Sequence, residues 1–321
     1  MRKDKQTTKQ ISLAAVQAYH QGGFTGNYAY QGFAARKYFT SDRYINLDAD
    51  FRRPDGKPLK GYGLEIETEC NGITSQGVLA EVLDKIIFPQ FPADLFKMQR
   101  DGSLGGRSSA ECITQVMTRE AVRNCYAGFK AMYDVYFPAF SISCSNSGNC
   151  GMHVNVSNAC FGNAESTQAL AIKKLLYIVN HHYKLICALT NRDPARTMYC
   201  RQMPEFASIA ACKNADLNHM PGNHGICFNA GHYPEGRIEL RIVGGQSTFG
   251  CFRNTMECIF HLVDAVKSLK WEDLDDVSKI FAGCNRYVFD RLKTKCLQAH
   301  AITPEAVETI RATVNRDEVF I

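Results

Sequence analysis

The stretch GYGLEIETEC, positions 61–70, places a carboxylate at every second residue. In an extended strand, alternate side chains point to opposite faces. Glu65, Glu67 and Glu69 therefore share one face, and Tyr62, Leu64, Ile66 and Thr68 share the other. Carboxylates at i and i+2 stand about 7 Å apart. Held that close they repel unless a cation lies between them. A hard divalent ion such as magnesium, which takes oxygen ligands, suits such a pair. An edge strand with a solvated acidic face has the same pattern, so one strand does not decide. Three later stretches repeat the arrangement. Around 108–117, Ser109, Glu111, Ile113 and Gln115 fall on one side. In SCSNSGNCGMHVNVS, 143–157, the second half alternates Met152, Val154 and Val156 against His153, Asn155 and Ser157. In RIELRIV, 237–243, Ile238, Leu240 and Ile242 oppose Arg237, Glu239 and Arg241. Four carboxylates and an imidazole on one concave sheet would repel without divalent cations and bind them well.

The elements that must position these groups follow from periodicity. Residues 1–11 are polar and charged, and 12–20 (SLAAVQAYH) have the makings of a short helix that stops at Gly22-Gly23. Residues 22–60 show no helical period and read as an irregular extension, with turn chemistry at 52–56. After the first acidic strand, 77–88 carries Val78, Val82 and Ile86 at helical spacing. Phe96-Lys97-Met98 is a short strand running into the turn Arg100-Asp101-Gly102-Ser103. Thr118 is placed to cap a helix over 119–137 with the stripe Val122, Cys125, Phe129, Met132 and Tyr136. A long helix is expected over about 167–189, with Leu170, Leu175, Ile178, Leu185 and Leu189 apolar. Residues 192–224 read as a long irregular segment, 225–229 as a strand. A helix capped at Ser247 or Thr248 runs to about Leu269 on Phe252, Met256, Ile259, Val263 and Val266. Thr303-Pro304 marks another helix start. Each acidic strand is followed by a helix. The expected fold class is therefore α+β, a curved antiparallel sheet with helices covering its apolar face.

Composition narrows the class. The chain has 321 residues and a mild net charge of +5, with basic residues scattered, which does not read as a nucleic-acid binder. No apolar run is long enough to span a bilayer, and no signal-peptide core follows the charged N-terminus. Fourteen cysteines without regular spacing read as reduced thiols of a cytoplasmic protein. Cys212, His219, His224 and Cys227 fit no standard zinc spacing, and Cys144, Cys150 and Cys160 read as plain thiols. His181-His182 read as helix-surface or packing residues, and Glu69 as a solvated strand-end acid.

The motifs GLEIE, DGS followed by AE, CGMHVNV and ELRI, in this order, resemble the amidoligase family of the glutamine synthetase and glutamate–cysteine ligase superfamily. The likeness spans about 61–270. It implies a glutamine synthetase-like catalytic domain over 61–270; outside it the sequence pattern leads us to expect an irregular extension over 1–60 and a helical segment over 271–321 packed on that domain. It implies an ATP-dependent carboxylate–amine ligase. The γ-phosphate passes to a substrate carboxylate, and an amine attacks the acyl phosphate to give an amide, ADP and phosphate. The acid would be an amino acid, a peptide or a protein side chain. By the resemblance Glu65, Glu67, Glu111, His153 and Glu239 hold Mg²⁺ or Mn²⁺. Arg241 meets the transferred phosphate, and Arg196 resembles an arginine before a Tyr-Cys pair. Asp101 occupies the family's acidic position after the second strand.

The chemistry agrees with those roles. Phosphoryl transfer needs neutralisation of the β- and γ-phosphates and in-line positioning, which metals and arginine supply. Arg241 is two residues from Glu239, about 7 Å along the strand. Asp101 is placed to take the amine's proton. One departure is Asn155, where many members carry a second histidine; an amide there can still hydrogen-bond a phosphate or substrate. The same residues leave open a phosphotransferase on the related sheet, a non-catalytic degenerate ligase fold used for binding or structure, and, more weakly, a metal hydrolase.

Overall fold

The computed structural model describes residues 37–40, 44–46, 53–70, 76–99, 109–144, 150–195, 198–220 and 222–315. The described residues divide into two units. The first takes those up to position 51, with Gly63–Met152 and Gly245–Phe249. The second takes those of Arg52–Tyr62, His153–Gly244 and Gly250–Ile321. Both mix helices with strands whose pairings are antiparallel, with one exception noted below. The expected 12–20 helix and the 100–103 turn lie outside the described residues. Among those described, no helix is long and apolar enough to cross a membrane.

In the first unit, β1 (Lys37–Phe39) and β2 (Tyr44–Asn46) form an antiparallel pair where the sequence suggested only irregular chain. Residues this short carry too few side chains for a period to show. The acidic strand is β3 (Tyr62–Cys70). Leu64 and Ile66 are fully buried, as the alternation requires. β3 lies antiparallel to β5 (Ser109–Thr114), which also pairs with β4 (Phe96–Gln99). The strand expected over 108–117 breaks at Gln115. There the backbone N–H turns to the Leu95 carbonyl at 2.8 Å, and the side-chain oxygen accepts from the Lys37 N–H at 3.0 Å. The chain then resumes as β6 (Val116–Met117), which pairs in parallel with β1. A two-residue strand, β7 (Ile142–Ser143), also pairs with β3.

Helix α1 (Gln76–Val82) continues into a wider π-helical turn, Leu83–Ile87. The residues it buries completely are Leu79, Ala80, Val82, Leu83 and Ile87. Val78 and Ile86, expected on the stripe, are only half-buried. The helix expected over 119–137 is present in pieces, α2 (Arg119–Asn124), α3 (Tyr126–Ala131) and another π-turn at Met132–Tyr136. Thr118 caps it by accepting from the Ala121 N–H at 3.1 Å, and every residue of the expected stripe is buried. Phe91, Phe96 and Phe129 pack edge to face, with centroids 4.7–6.2 Å apart. Gly128 permits that packing: a Cβ there would stand 2.8 Å from the Phe91 ring and 2.9 Å from the Gln90 carbonyl oxygen.

In the second unit, β8 (Met152–Ser157) pairs with β10 (Arg237–Leu240), which pairs with β9 (Phe228–Asn229). The expected strands at 225–229 and 237–243 are thus shorter than their patterns. The long helix is split at His182 into α4 (Glu165–His181) and α5 (Tyr183–Leu189). Leu170, expected on its apolar face, is exposed, whereas Leu175, Ile178, Leu185 and Leu189 are buried. Residues 192–224 are less irregular than expected, because they hold α6 (Ile209–Asn214) capped by Ser208. Helix α7 (Phe249–Ser268) buries its expected stripe, and its last turn is closed by Lys174, whose ammonium donates to the Val266 and Leu269 carbonyls at 3.3 and 2.5 Å. Cationic groups are favoured at that helix end. Helices α8 (Arg286–Arg291) and α9 (Pro304–Arg311) follow, the latter capped by Thr303 as its sequence indicated.

Two outcomes test these packings. Gly128→Ala would gain helix propensity on an open surface. Against Phe91 it should instead lower unfolding free energy by about 1–3 kcal/mol in a urea titration. His182 hydrogen-bonds the Leu274 carbonyl, and burial lowers its pKa below 6.5. The unfolded chain therefore binds the extra proton first, and stability should fall as pH drops below about 6.5. His182→Gln should flatten that part of a melting-temperature profile against pH.

Candidate functional site

The first unit supplies an acidic face. In the β3–β5 ladder Glu67 lies directly opposite Glu111, and Glu65 opposite Ile113. Directly opposed residues of an antiparallel pair point to the same side, with Cβ atoms about 4.5–5.5 Å apart. Glu65, Glu67 and Glu111 therefore share one face, and like charges so placed destabilise the sheet unless a cation or donors balance them. Glu67 is the most enclosed of the three; the Gly151 N–H donates to its carboxylate. Glu65 and Glu111 are half-buried. The register fixes this face firmly, because side chains tie the ladder from the other side: the Thr114 hydroxyl accepts from the Leu64 N–H at 2.9 Å, and the Thr68 hydroxyl donates to the Ala110 carbonyl at 2.8 Å. β4 extends the same face with Lys97 and Gln99, opposite Ile113 and Glu111. Neither stood out in the sequence, since a lysine in a four-residue strand has no signature until the register is known.

The second unit supplies a buried charged cluster. Glu239 and Arg241 are both nearly enclosed, 4% and 7% exposed, and the Arg241 Nη1 donates to Glu239 Oε1 at 2.6 Å. The other carboxylate oxygen accepts from the Asn229 side-chain amide at 2.8 Å. Asn229 sits opposite Glu239 on β9, a pairing that no motif announced. His153 lies beside this pair: its Nδ1 is 3.3 Å from Arg241 Nη1 and 3.5 Å from Glu239 Oε1. That nitrogen can accept from the guanidinium or, carrying its proton, donate to the carboxylate. The second arrangement frees Nε2 as a ligand, the usual way a carboxylate orients a metal-binding imidazole. Asn155, opposite Glu239 on β8, accepts from Arg237 at 2.8 Å.

Backbone irregularity aims Arg241. The N–H groups of Arg241 and Ile242 both donate to the Cys227 carbonyl, at 3.0 and 3.1 Å. Two residues set against one end the ladder in the manner of a β-bulge. Arg192 then braces the bulge, donating from one nitrogen to the Arg241 and Val243 carbonyls at 3.1 and 2.8 Å. The Arg241 Nε is buried without a hydrogen-bond partner among the described residues.

Asp101 and Arg196 lie outside the described residues. Cys212, His219, His224 and Cys227 form no ligand cluster among those described, and His219 instead contacts Asp216. The fourteen cysteines are thiols; Cys144 and Cys150 are buried, and burial with nearby charge pushes the Cys144 thiol well up. His181 donates from Nδ1 to the Ala207 carbonyl at 3.1 Å on the surface of its helix.

No family model and no curated protein matches the chain. Among solved structures, a GmaS/ADP complex is similar at 12% identity and a TM-score of 0.39, over 79% of this chain and 68% of that one. A class II 3-hydroxy-3-methylglutaryl-CoA reductase from Streptococcus pneumoniae bound to NADPH matches at 6% identity and a TM-score of 0.19, over 98% and 87%. Likenesses at this level carry no functional argument.

The two halves predict substitutions of opposite sign. Glu239→Ala leaves a buried guanidinium without its carboxylate and should lower stability by about 3–5 kcal/mol. Glu111→Gln in metal-free protein relieves like-charge opposition and should hold or raise stability by up to about 1 kcal/mol. Urea titrations of both variants in EDTA check this.

Proposed function

We propose that the chain is an ATP-dependent carboxylate–amine ligase with a glutamine synthetase-like catalytic sheet, residues 61–270 forming the catalytic region. The observation that carries the reading is the direct opposition of Glu67 and Glu111 with Glu65 on the same face. That set is costly for a sheet and suited to hard divalent ions, so the donor chemistry fits Mg²⁺ or Mn²⁺. Glu65, Glu67 and Glu111 would hold the ions, and His153 is assigned as a further ligand through Nε2, which Mn²⁺ tolerates more readily. When bound, the ions would neutralise the β- and γ-phosphates of ATP.

The chain's own residues supply the remaining work. Glu239 orients His153 and holds Arg241, and its own place as a ligand would require Arg241 to turn away from it. Arg241, aimed by the bulge and with its Nε unpartnered, donates to the phosphoryl group as it moves to the substrate carboxylate. Asn155 and Arg196 are assigned to nucleotide or substrate contacts, and Asp101 to the proton lost by the attacking amine. The acid is an amino acid, a peptide or a protein side chain, and the amine is small or side-chain borne. A cytoplasmic, reducing setting for its fourteen cysteines is part of the same reading.

A second reading has an observation of its own. Both Glu239 oxygens are engaged within the protein, by Arg241 and Asn229, as expected of a degenerate ligase fold that binds without turnover.

The test is ADP release with Mn²⁺ and ATP against pooled amino acids and peptides, with mass detection of a condensation product. Amine-dependent ADP release, lost by at least a hundredfold in Glu65→Gln and Glu111→Gln, is the expected result. Thermal stabilisation by Mn²⁺ and ATP without turnover would favour the binding fold. No stabilisation at all, or full turnover in either variant, would remove the acidic face from the function. ADP release that needs no amine would point to a phosphotransferase.

A further inference from the structure

Of the fourteen cysteines, twelve are buried; Cys160 and Cys251 are part-exposed. Cys251 is the third residue of α7, a helix of 20 residues, and lies in its first turn, where the Phe249 N–H donates to the Asp134 carboxylate at 2.9 Å. On its sulfur lies a group that nothing in the ligase chemistry uses. Arg291, at the end of α8 and only 4% exposed, donates from Nη1 to Cys251 Sγ at 3.8 Å. Its Nε and Nη2 are buried with no hydrogen-bond partner among the described residues, and it makes no ion pair with a described carboxylate. A buried guanidinium without an anion is costly. Cys258 and Cys296 also feel its charge, but burial dominates there and pushes Cys296 up to about 12 and Cys258 higher. They stay protonated and shielded.

We propose that Cys251 is a reactive thiol, a site for covalent modification by small soft electrophiles, with its thiolate as the counter-charge of Arg291. The thiolate is the nucleophilic form of cysteine, and an adjacent arginine is a setting that favours it. In alkylation by iodoacetamide, the proton has gone to solvent, the sulfur pair forms the S–C bond, and iodide leaves with the bonding electrons. Cys160 is the internal control: it is part-exposed too, and its thiol donates to the Gly61 carbonyl at 3.6 Å.

The experiment is limited iodoacetamide labelling of the full chain at pH 7, read site by site by peptide mass spectrometry. Cys251 should label at least tenfold faster than Cys160. In Arg291→Met, which fills the same space without charge, the Cys251 rate should fall at least fivefold with Cys160 unchanged. Arg291→Lys, which keeps the charge, should retain most of the Cys251 rate and serves if the methionine variant fails to fold. Equal rates for the two cysteines in the unaltered protein would overturn the proposal, as would an unchanged Cys251 rate in a folded Arg291→Met. Because neither residue belongs to the proposed ligase site, this outcome is independent of ligase activity.

Discussion

Two carboxylates that face each other across a β-ladder impose a condition on everything around them. Glu67 and Glu111 occupy directly opposed positions in the β3–β5 register, with Glu65 two residues along the same face. Sheet registers are held by buried side chains, and a slip by one residue would turn the acids inward and Leu64 and Ile66 outward. The protein therefore cannot relieve the repulsion by shifting the strand. The Thr114 and Thr68 hydrogen bonds lock the opposite side, so the charge has to be balanced where it stands. The Gly151 N–H contributes to that balance on Glu67. The rest of the functional reading follows from asking what else balances that face.

The second unit solves a similar problem differently. Arg241 and Glu239 neutralise each other at 2.6 Å, and Asn229 satisfies the remaining carboxylate oxygen. A buried ion pair of this kind is weak evidence for stability but strong evidence for a fixed geometry, since breaking one partner leaves a stranded charge. His153 is adjacent to both members and has two ways to bond, so the cluster holds a choice of tautomer. The bulge at Cys227 and the brace from Arg192 show where backbone regularity is given up to aim the arginine.

Much of this is legible in the amino-acid sequence. Alternation alone placed Glu65 and Glu67 on the face opposite Leu64 and Ile66, and His153 opposite Val154, because a buried apolar face admits one register. Thr118 and Thr303 marked helix starts by local hydrogen bonding, which needs no tertiary partner. Reading failed where neighbours override local preference. Leu170 is exposed despite its helical spacing, and Ile86 is only half-buried beside Leu83 and Ile87, where a π-turn changes the angle per residue. The pairs β1 and β2 were missed because three-residue strands are defined by their partners.

The amino-acid sequence by itself determined which residues carry charge, which strands alternate and which helices are amphipathic, since these rest on chemistry within a few positions of the chain. Only the tertiary structure decided that Glu111 stands opposite Glu67, that Asn229 completes Glu239, that Lys97 joins the acidic face, and that Arg291 reaches Cys251 from 40 residues away. Those relations are set by register and by the packing of distant elements. Such pairings depend on how buried surfaces fit together, a quantity that no local pattern encodes.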